Sequence, residues 1–204
     1  MGVDYQLAFK RPFADAKTFI IGFVVAMIPI VNLFAEGYFL ECARKPRYKN
    51  LPEWKDWGKL FVDGLLAFII TLIYFIPVGI IAFATLGSAI AAILLGGVTD
   101  VSAFAALRPA LLIAVLLALI TYYVSFSAVI SFAQQGKFSA AFAFGRVFRK
   151  ALTADYFLAW LLVIAVSVIL YAGLSFIPVV GGAVAAFYVG VFTYTIMGQS
   201  MLVK

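Results

Sequence analysis

The chain contains no histidine and a single cysteine, Cys42. Without histidine, the common Ser-His-Asp triads and the histidine-liganded zinc sites cannot be built. One cysteine excludes a disulfide within the chain. The aspartates and glutamates show no metal-ligand spacing, and no glycine-rich phosphate loop is present. We therefore expect no catalytic residue, no metal and no cofactor, and predict that the protein is not an enzyme; an intramembrane carboxylate or serine enzyme is the remaining enzymatic alternative.

Charge is also scarce, since only 12% of the residues are charged and the mean hydropathy is +1.12. Soluble domains have about a quarter of their residues charged. Residues 111–132 and 156–203 contain no charged side chain at all, and about 20 apolar residues suffice to cross the hydrocarbon core of a bilayer. The alternating pattern of a membrane β-barrel is absent. The composition therefore predicts a multi-pass helical membrane protein.

The apolar residues form five segments separated by short polar connections. We predict a single integral membrane domain over residues 1–204, an all-α helical bundle with about four to five transmembrane segments, some of them broken by proline or re-entrant. The apolar segments are 18–40, 60–96, 109–133, 154–177 and 179–202.

A proline tripeptide recurs in these segments, as Ile28-Pro29-Ile30, Ile76-Pro77-Val78 and Ile177-Pro178-Val179. Proline lacks a backbone donor and disfavours helix at the preceding residue, so each tripeptide predicts a kink or a turn. The first and last copies have similar neighbours, either through an ancestral repeat or by chance.

The first segment has two possible topologies. From residue 18 to residue 28 a helix would extend roughly 17 Å, about half of the membrane. Residues 18–40 therefore form either a re-entrant hairpin or one span kinked at Pro29. If residues 18–40 form the hairpin and residues 60–96 cross once, fourteen of the fifteen lysines and arginines lie on the same side of the membrane. If residues 18–40 span the membrane, only eleven lie on that side. The positive-inside rule makes that side cytoplasmic and favours the hairpin. We expect a prokaryotic cell membrane, with the basic loops cytoplasmic.

The stretch Leu51–Gly64 (LPEWKDWGKLFVDG) combines two tryptophans with five charges. Pro52 suits the first turn of a helix. Lys59 is spaced for helical ion pairs with Asp56 and Asp63. Tryptophan rings prefer the membrane–water boundary, and lysine stems extend towards it. The stretch predicts an interfacial helix that continues into the second segment, with an apolar stripe of Trp54, Trp57, Phe61 and Leu65.

A second interfacial helix is predicted over residues 137–150, where aromatic and basic residues alternate at helical spacing. Arg146, Arg149 and Lys150 are expected near anionic lipid head groups. The expected partners are membrane lipids, with a possible homo-oligomer or membrane complex, and no nucleic acid.

The residues quoted above carry a family resemblance. Leu51-Pro52-Glu53-Trp54, followed by Trp57-Gly58 and by Leu60-Phe61-Val62-Asp63-Gly64, resembles the hallmark of an uncharacterised prokaryotic membrane-protein family, domain of unknown function number 4013. Pro29-Ile30, Glu36-Gly37-Tyr38 and Ala140-Ala141-Phe142 are similar too. The resemblance implies a helical integral membrane protein of a kind common in archaea. It implies no catalytic residue, because the family has no assigned activity.

Asn32 and Glu36 are the candidate site, since they lie one helical turn apart in an apolar run just after Pro29. Intramembrane carboxylates are costly and often functional, and a broken helix frees backbone groups that can hold an ion. The structural alternative is that Asn32 caps the second half-helix and Glu36 pairs with a basic residue. We expect a small permease or channel-like oligomer with these residues near its polar path; the alternative is a scaffold or accessory subunit that organises lipid or a partner complex.

The last segment carries small residues at spacings that place them on one helical face. Such residues let membrane helices approach closely, within the chain or between chains. The predicted packing residues are Gly182, Ala186, Gly190 and Gly198.

Overall fold

A computed structural model of the chain describes residues 2–96 and 101–203, except for the side chains at 86, 88–96, 101–107 and 110. Within these ranges the chain forms eight α-helices, two short 3₁₀ turns and no strand. The predicted all-α class is confirmed. The helices are α1 (Tyr5–Lys10), α2 (Ala16–Met27), α3 (Asn32–Arg44), α4 (Trp57–Gly96), α5 (Val101–Gln135), α6 (Phe144–Ala151), α7 (Ala154–Leu174) and α8 (Val180–Ser200). The 3₁₀ turns are Arg11–Phe13 and Phe138–Phe142.

Four helices in the described part of the chain are long and apolar enough to cross a membrane, namely α4, α5, α7 and α8. α7 and α8 have 21 residues each, about 31 Å of helix. α4 has 40 residues and α5 has 35, about 60 and 52 Å, which is more than one crossing needs. The chain is therefore a polytopic helical bundle with two helices of unusual length.

The apolar run 109–133 is only part of α5, which begins at Val101 and includes Pro109. A proline inside a helix removes one hydrogen bond and does not have to end the helix. The polar connection between the apolar segments 60–96 and 109–133 is therefore helical from Val101 onward, and residues 97–100 lie outside the described part.

Most helix ends meet at one end of the bundle, which we call the polar end. Gln199, at the end of α8, donates to the Pro46 carbonyl at 2.9 Å and accepts from the Asp4 backbone N–H at 2.6 Å. Gln134, at the end of α5, donates to the Gly198 carbonyl at 2.8 Å. These bonds join α1, the end of α3, the end of α5 and the end of α8. Apart from Arg108, the described lysines and arginines belong to the segments that meet here.

α2 and α3 form a hairpin whose two outer ends both lie at the polar end. An Arg11 Nη1–H just before α2 donates to the Cys42 carbonyl near the end of α3 at 3.1 Å. Phe187 of α8 contacts both Phe19 of α2 and Phe39 of α3, with ring centroids 5.3 and 5.7 Å apart. One kinked helix over 18–40 would separate its ends by roughly 35 Å. The chain reverses direction at residues 28–31 instead.

The two outer proline tripeptides form the same kind of turn. Ile30 and Val179, each directly after the proline, have φ of 70° and 64°, a strained region for a β-branched residue. In each turn a backbone N–H bonds to the carbonyl four residues earlier, Asn32 to Ile28 at 2.9 Å and Gly181 to Ile177 at 3.0 Å. The turns join α2 to α3 and α7 to α8.

The middle tripeptide differs, because Pro77 lies inside α4 and the helix continues through it. Residues 60–96 therefore belong to one helix, and no turn at Pro77 divides them.

α8 is the central helix of the bundle. In its candidate span 61% of the residues are buried, against 11% in α4 and in α7. Aromatic side chains fill the space around it, with Phe187 and Phe192 fully buried. α4 and α7 expose their apolar faces, as helices in contact with lipid do.

α3 and α4 cross with their backbones in contact, and a glycine of each helix lies at the crossing. A Cβ built on Gly37 would overlap the backbone carbonyl of Leu60, and one built on Gly64 would overlap that of Leu33. Any larger residue at either position would force the helices apart. Both glycines belong to the motifs that carry the family resemblance.

Candidate functional site

Asn32 and Glu36 line one cavity between α3 and α4, with a volume of about 440 Å³. Asn32 is the first residue of α3, and Glu36 follows one helical turn later. The α4 wall contributes the hydroxyl of Thr71, which donates to the Ala67 carbonyl of its own helix at 3.0 Å. The remaining lining is apolar and consists of Ile30, Leu33, Leu65, Ala67 and Phe68.

Glu36 connects this cavity to the central helix α8. Its carboxyl oxygen Oε1 accepts a hydrogen bond from the Tyr194 hydroxyl. Tyr194 is only 5% exposed, and its ring lies 5.0 Å from Phe126 and 5.7 Å from Phe39. The phenol therefore fixes the carboxyl between α3 and α8. Among the described ion pairs none involves Glu36, so the alternative in which Glu36 pairs with a basic residue is not found.

Asn32 does not cap α3. The N-cap residue is Val31, and no side chain makes a capping hydrogen bond there. The Asn32 side chain is exposed, and no hydrogen bond to it is found among the described residues. Pro29 is exposed in the preceding turn. The cavity thus brings together an amide and a carboxyl, two groups whose oxygens can bind a small cation or exchange hydrogen bonds with a polar solute.

Trp54 lies outside the predicted interfacial helix. Residues 51–56 are not helical, and α4 begins at Trp57 after Asp56, whose φ is 51°. The Trp54 ring stacks on Tyr38 at 4.2 Å, and its Nε1 donates to the Thr18 carbonyl at 3.1 Å. The predicted apolar stripe is therefore wrong for Trp54, and the prediction that Pro52 lies in the first helical turn is wrong too. The stacking of Trp54 on the α2–α3 hairpin outweighs the helical spacing of the sequence.

Trp57 is 43% exposed and contacts Phe34 and Trp54, with ring centroids 5.6 and 5.3 Å away. An indole that is packed on one side and exposed on the other suits a membrane–water boundary. Its placement at such a boundary stays a prediction.

Lys59 belongs to an ion-pair network between the end of α3 and the start of α4. Its ammonium contacts Glu41 and lies 3.5 Å from Asp63, as the helical spacing predicts. Arg44 Nη1 lies 2.5 Å from Glu41 and 2.8 Å from Asp63. The predicted pair between Asp56 and Lys59 is not among the described ion pairs, because Lys59 reaches across to α3.

The basic stretch 137–150 is two elements, not one helix. A 3₁₀ turn covers Phe138–Phe142, and α6 follows after Ala143, whose ψ of 68° interrupts the helix. α6 buries Val147 and Ala151 against the bundle, so its basic side chains lie towards the polar end. Arg146 donates to the Gln135 side chain, and Lys150 donates to the Val203 carbonyl at 2.8 Å. Arg149 is exposed. Contact of these residues with lipid head groups stays a prediction.

The small residues of α8 have different surroundings. A Cβ on Gly190 would overlap the Phe39 ring, and one on Gly198 would lie 3.0 Å from Pro46 Cβ. Both glycines therefore let α3 and the following residues approach α8. Gly182 has open space around it, and Ala186 is partly buried. Among the described residues nothing packs closely on Gly182, whereas its neighbour Gly181 faces α7, next to the Leu174 carbonyl.

Several residues that shape the site had no individual signal in the sequence. Tyr194 is one of ten tyrosines, and nothing nearby in the chain indicates that it bonds Glu36. Gly37 and Gly64 belong to the family motifs and lie on two apolar segments that follow each other in the chain. Because small residues let membrane helices approach closely, these two glycines could have indicated a close crossing.

The described part of the chain contains no group of three His, Cys, Asp or Glu side chains that could hold a metal ion. The architecture defines the class: a multi-pass helical membrane protein with four apolar helices long enough to span a bilayer. Residues 20–179 match the model of the family described as "Protein of unknown function (DUF4013)", and the chain belongs to this family. No curated protein and no solved structure matches the chain.

Proposed function

We propose that the protein is a small permease or channel-like membrane protein that acts as an oligomer, with Asn32 and Glu36 in its polar path. The observation that carries this proposal is the cavity of about 440 Å³ next to the turn of the α2–α3 hairpin, which both side chains line. Polar groups inside a bilayer are expensive and usually face a cavity or another protein surface. The exposed Asn32 therefore favours water, a solute or a second subunit at this position.

The depth of the site follows from a re-entrant hairpin. α2 has 12 residues and α3 has 13, about 18 and 20 Å of helix, which is less than a crossing requires. With the polar end at the cytoplasmic surface of a prokaryotic cell membrane, as the positive-inside rule favours, the hairpin enters from that side and returns. Asn32 then lies near the middle of the bilayer and Glu36 one turn closer to the cytoplasm.

Membrane-impermeant thiol labelling tests this topology. The native thiol does not interfere, because Cys42 is fully buried and burial raises its pKa to about 12. We expect Lys17→Cys and Asn50→Cys to react from the same side of the membrane, and Arg108→Cys to react only from the other side. All three residues are exposed. Reaction of residues 17 and 50 from opposite sides would show that 18–40 spans the bilayer.

Ion flux into proteoliposomes tests the role of Glu36. We expect the wild type to conduct at least one of K⁺, Na⁺, H⁺ and Cl⁻ above empty liposomes. Glu36→Gln keeps a group that can accept from Tyr194 but removes the ionisable carboxyl, and we expect flux to fall about tenfold, equivalent to about 1.4 kcal/mol in the barrier. Glu53→Gln is the matched control, because Glu53 is an exposed carboxylate at the polar end. Equal flux in Glu36→Gln and wild type would rule out a role for Glu36.

The second candidate function is a scaffold or accessory subunit that organises lipid or a partner complex. The apolar lining that surrounds Asn32 and Glu36 favours it, because the cavity has few polar groups with which to build an aqueous path. Purification with native lipids separates the two functions. A stable symmetric oligomer around a polar axis supports transport, whereas a monomer, or co-purification with other subunits, supports the scaffold.

A further inference from the structure

Arg11 is a buried cation at the polar end. It lies in the 3₁₀ turn between α1 and α2 and is 1% exposed. Its Nη1 donates to the Cys42 carbonyl at 3.1 Å and to the Thr195 hydroxyl at 3.0 Å. These bonds fix the guanidinium between α3 and α8.

The other edge of the same guanidinium has no partner. Nε and Nη2 are both buried and make no hydrogen bond within the described part of the chain. A buried guanidinium without a paired anion is costly, and each unsatisfied donor adds to that cost. The Nε–Nη2 edge is also a fork that can donate to two oxygens of a single carboxylate or phosphate.

The nearby carboxylates do not fill this role. Asp4 accepts from Leu7 N–H at the start of α1, and Asp15 accepts from the N–H groups that begin α2. Glu41 is held by Arg44 and Lys59. Among the described ion pairs none involves Arg11.

Arg11 also lines a cavity of about 500 Å³ at the polar end, distinct from the cavity beside Asn32. The lining includes three lysines, of which Lys55 pairs with Glu53 and Lys59 pairs with Glu41. Lys45 lies over the Tyr48 ring, 5.7 Å from its centroid, and is exposed. The remaining carboxylate of the lining is Asp56. Arg11 and Lys45 therefore both offer positive charge to an anion in this cavity.

We propose that this cavity is a phosphate-binding site, in which the Nε–Nη2 edge of Arg11 donates to two oxygens of one phosphate group and Lys45 supplies a second positive charge. The same group is present in a phospholipid head and in a soluble phosphate, and either source satisfies the chemistry. The bound phosphate completes the ion pairing of Arg11 and thereby joins α1, α3 and α8. The proposal does not depend on transport through the Asn32 cavity.

Thermal unfolding of the full chain in non-ionic detergent tests the site. Inorganic phosphate and short-chain phosphatidylglycerol are titrated separately, and a saturable rise in the unfolding temperature reports binding. Lys45→Gln is expected to weaken the binding about tenfold. Lys49→Gln is the matched control, because it removes the same charge four residues away. Lys49 is exposed and does not line the cavity. Arg11→Lys keeps the charge but loses the fork, and we expect it to weaken binding about a hundredfold.

The two titrations distinguish the sources. A response to phosphatidylglycerol alone assigns the site to a lipid head group, and a response to inorganic phosphate assigns it to a soluble phosphate. If Arg11→Lys does not fold, the comparison of Lys45→Gln with Lys49→Gln still tests the phosphate-binding proposal. No saturable response to either ligand, or equal affinities in the two lysine variants, would overturn the proposal.

Discussion

Gly37→Ala and Gly64→Ala are each expected to lower the free energy of unfolding by about 3 kcal/mol, near the upper end of what overpacking costs. The reason is the crossing of α3 and α4, where a Cβ on either glycine would overlap a backbone carbonyl of the other helix. A flexible side chain could move away, but two helix backbones can only separate. Their separation would also disturb the wall of the Asn32 cavity, since the same helices form it.

The measurement is unfolding in detergent micelles, with Gly58→Ala as the matched control. Gly58 lies in the first turn of α4, and no atom of the described residues comes within 4 Å of a Cβ built on it. Alanine favours helix over glycine by about 1 kcal/mol, so the control should be unchanged or slightly more stable. If Gly37→Ala and Gly58→Ala unfold alike, α3 and α4 do not cross as closely as described.

Arg44→Gln is expected to lower the free energy of unfolding by about 2 kcal/mol. Arg44 contacts both Glu41 and Asp63 and also donates from Nε to the Ala133 carbonyl at 3.1 Å. Loss of one partner of a fully buried ion pair costs about 3–5 kcal/mol. The cost here is smaller, because the Arg44 and Asp63 side chains are 17% and 11% exposed and Lys59 remains.

The control for this variant is Lys55→Gln, which removes an ion pair with Glu53 whose side chains are 70% and 72% exposed. Exposed pairs contribute little, so the unfolding free energy should change by less than about 1 kcal/mol. Equal losses in Arg44→Gln and Lys55→Gln would contradict the structural role of the network.

The pH dependence of stability gives a second measurement of the same network. Burial raises the pKa of the Glu41 carboxyl, but the hydrogen bond from Lys59 and the charge of Arg44 lower it by more, so the pKa lies below its ordinary value. The stability from this group is therefore present above the unfolded pKa and is lost as the pH falls through the folded pKa. We expect a smaller loss between neutral and acid pH in Arg44→Gln than in wild type.

The apolar runs alone determined that the chain is an all-α membrane protein. The absence of charge over 156–203 leaves no polar surface for a soluble fold, and hydrocarbon requires that the backbone satisfy its own hydrogen bonds within helices. The prolines at 29 and 178 marked chain reversals, since both proline and its neighbour resist helix. At Pro77 the same tripeptide did not interrupt α4, because a surrounding helix tolerates the loss of one hydrogen bond.

Contacts between distant segments were decided only by the tertiary structure. Helical spacing placed Trp54 on a helix, yet its stacking on Tyr38 and its hydrogen bond to Thr18 hold it outside α4. The sequence singled out Asn32 and Glu36 as polar residues in an apolar run, but their cavity and the Tyr194 partner arise from the packing of α3 between α4 and α8. The hydropathy of a segment indicates whether the segment prefers lipid or water, because this preference depends on its composition. Which side chains meet depends on how the helices cross, and residues 158 positions apart leave no periodic trace of their contact.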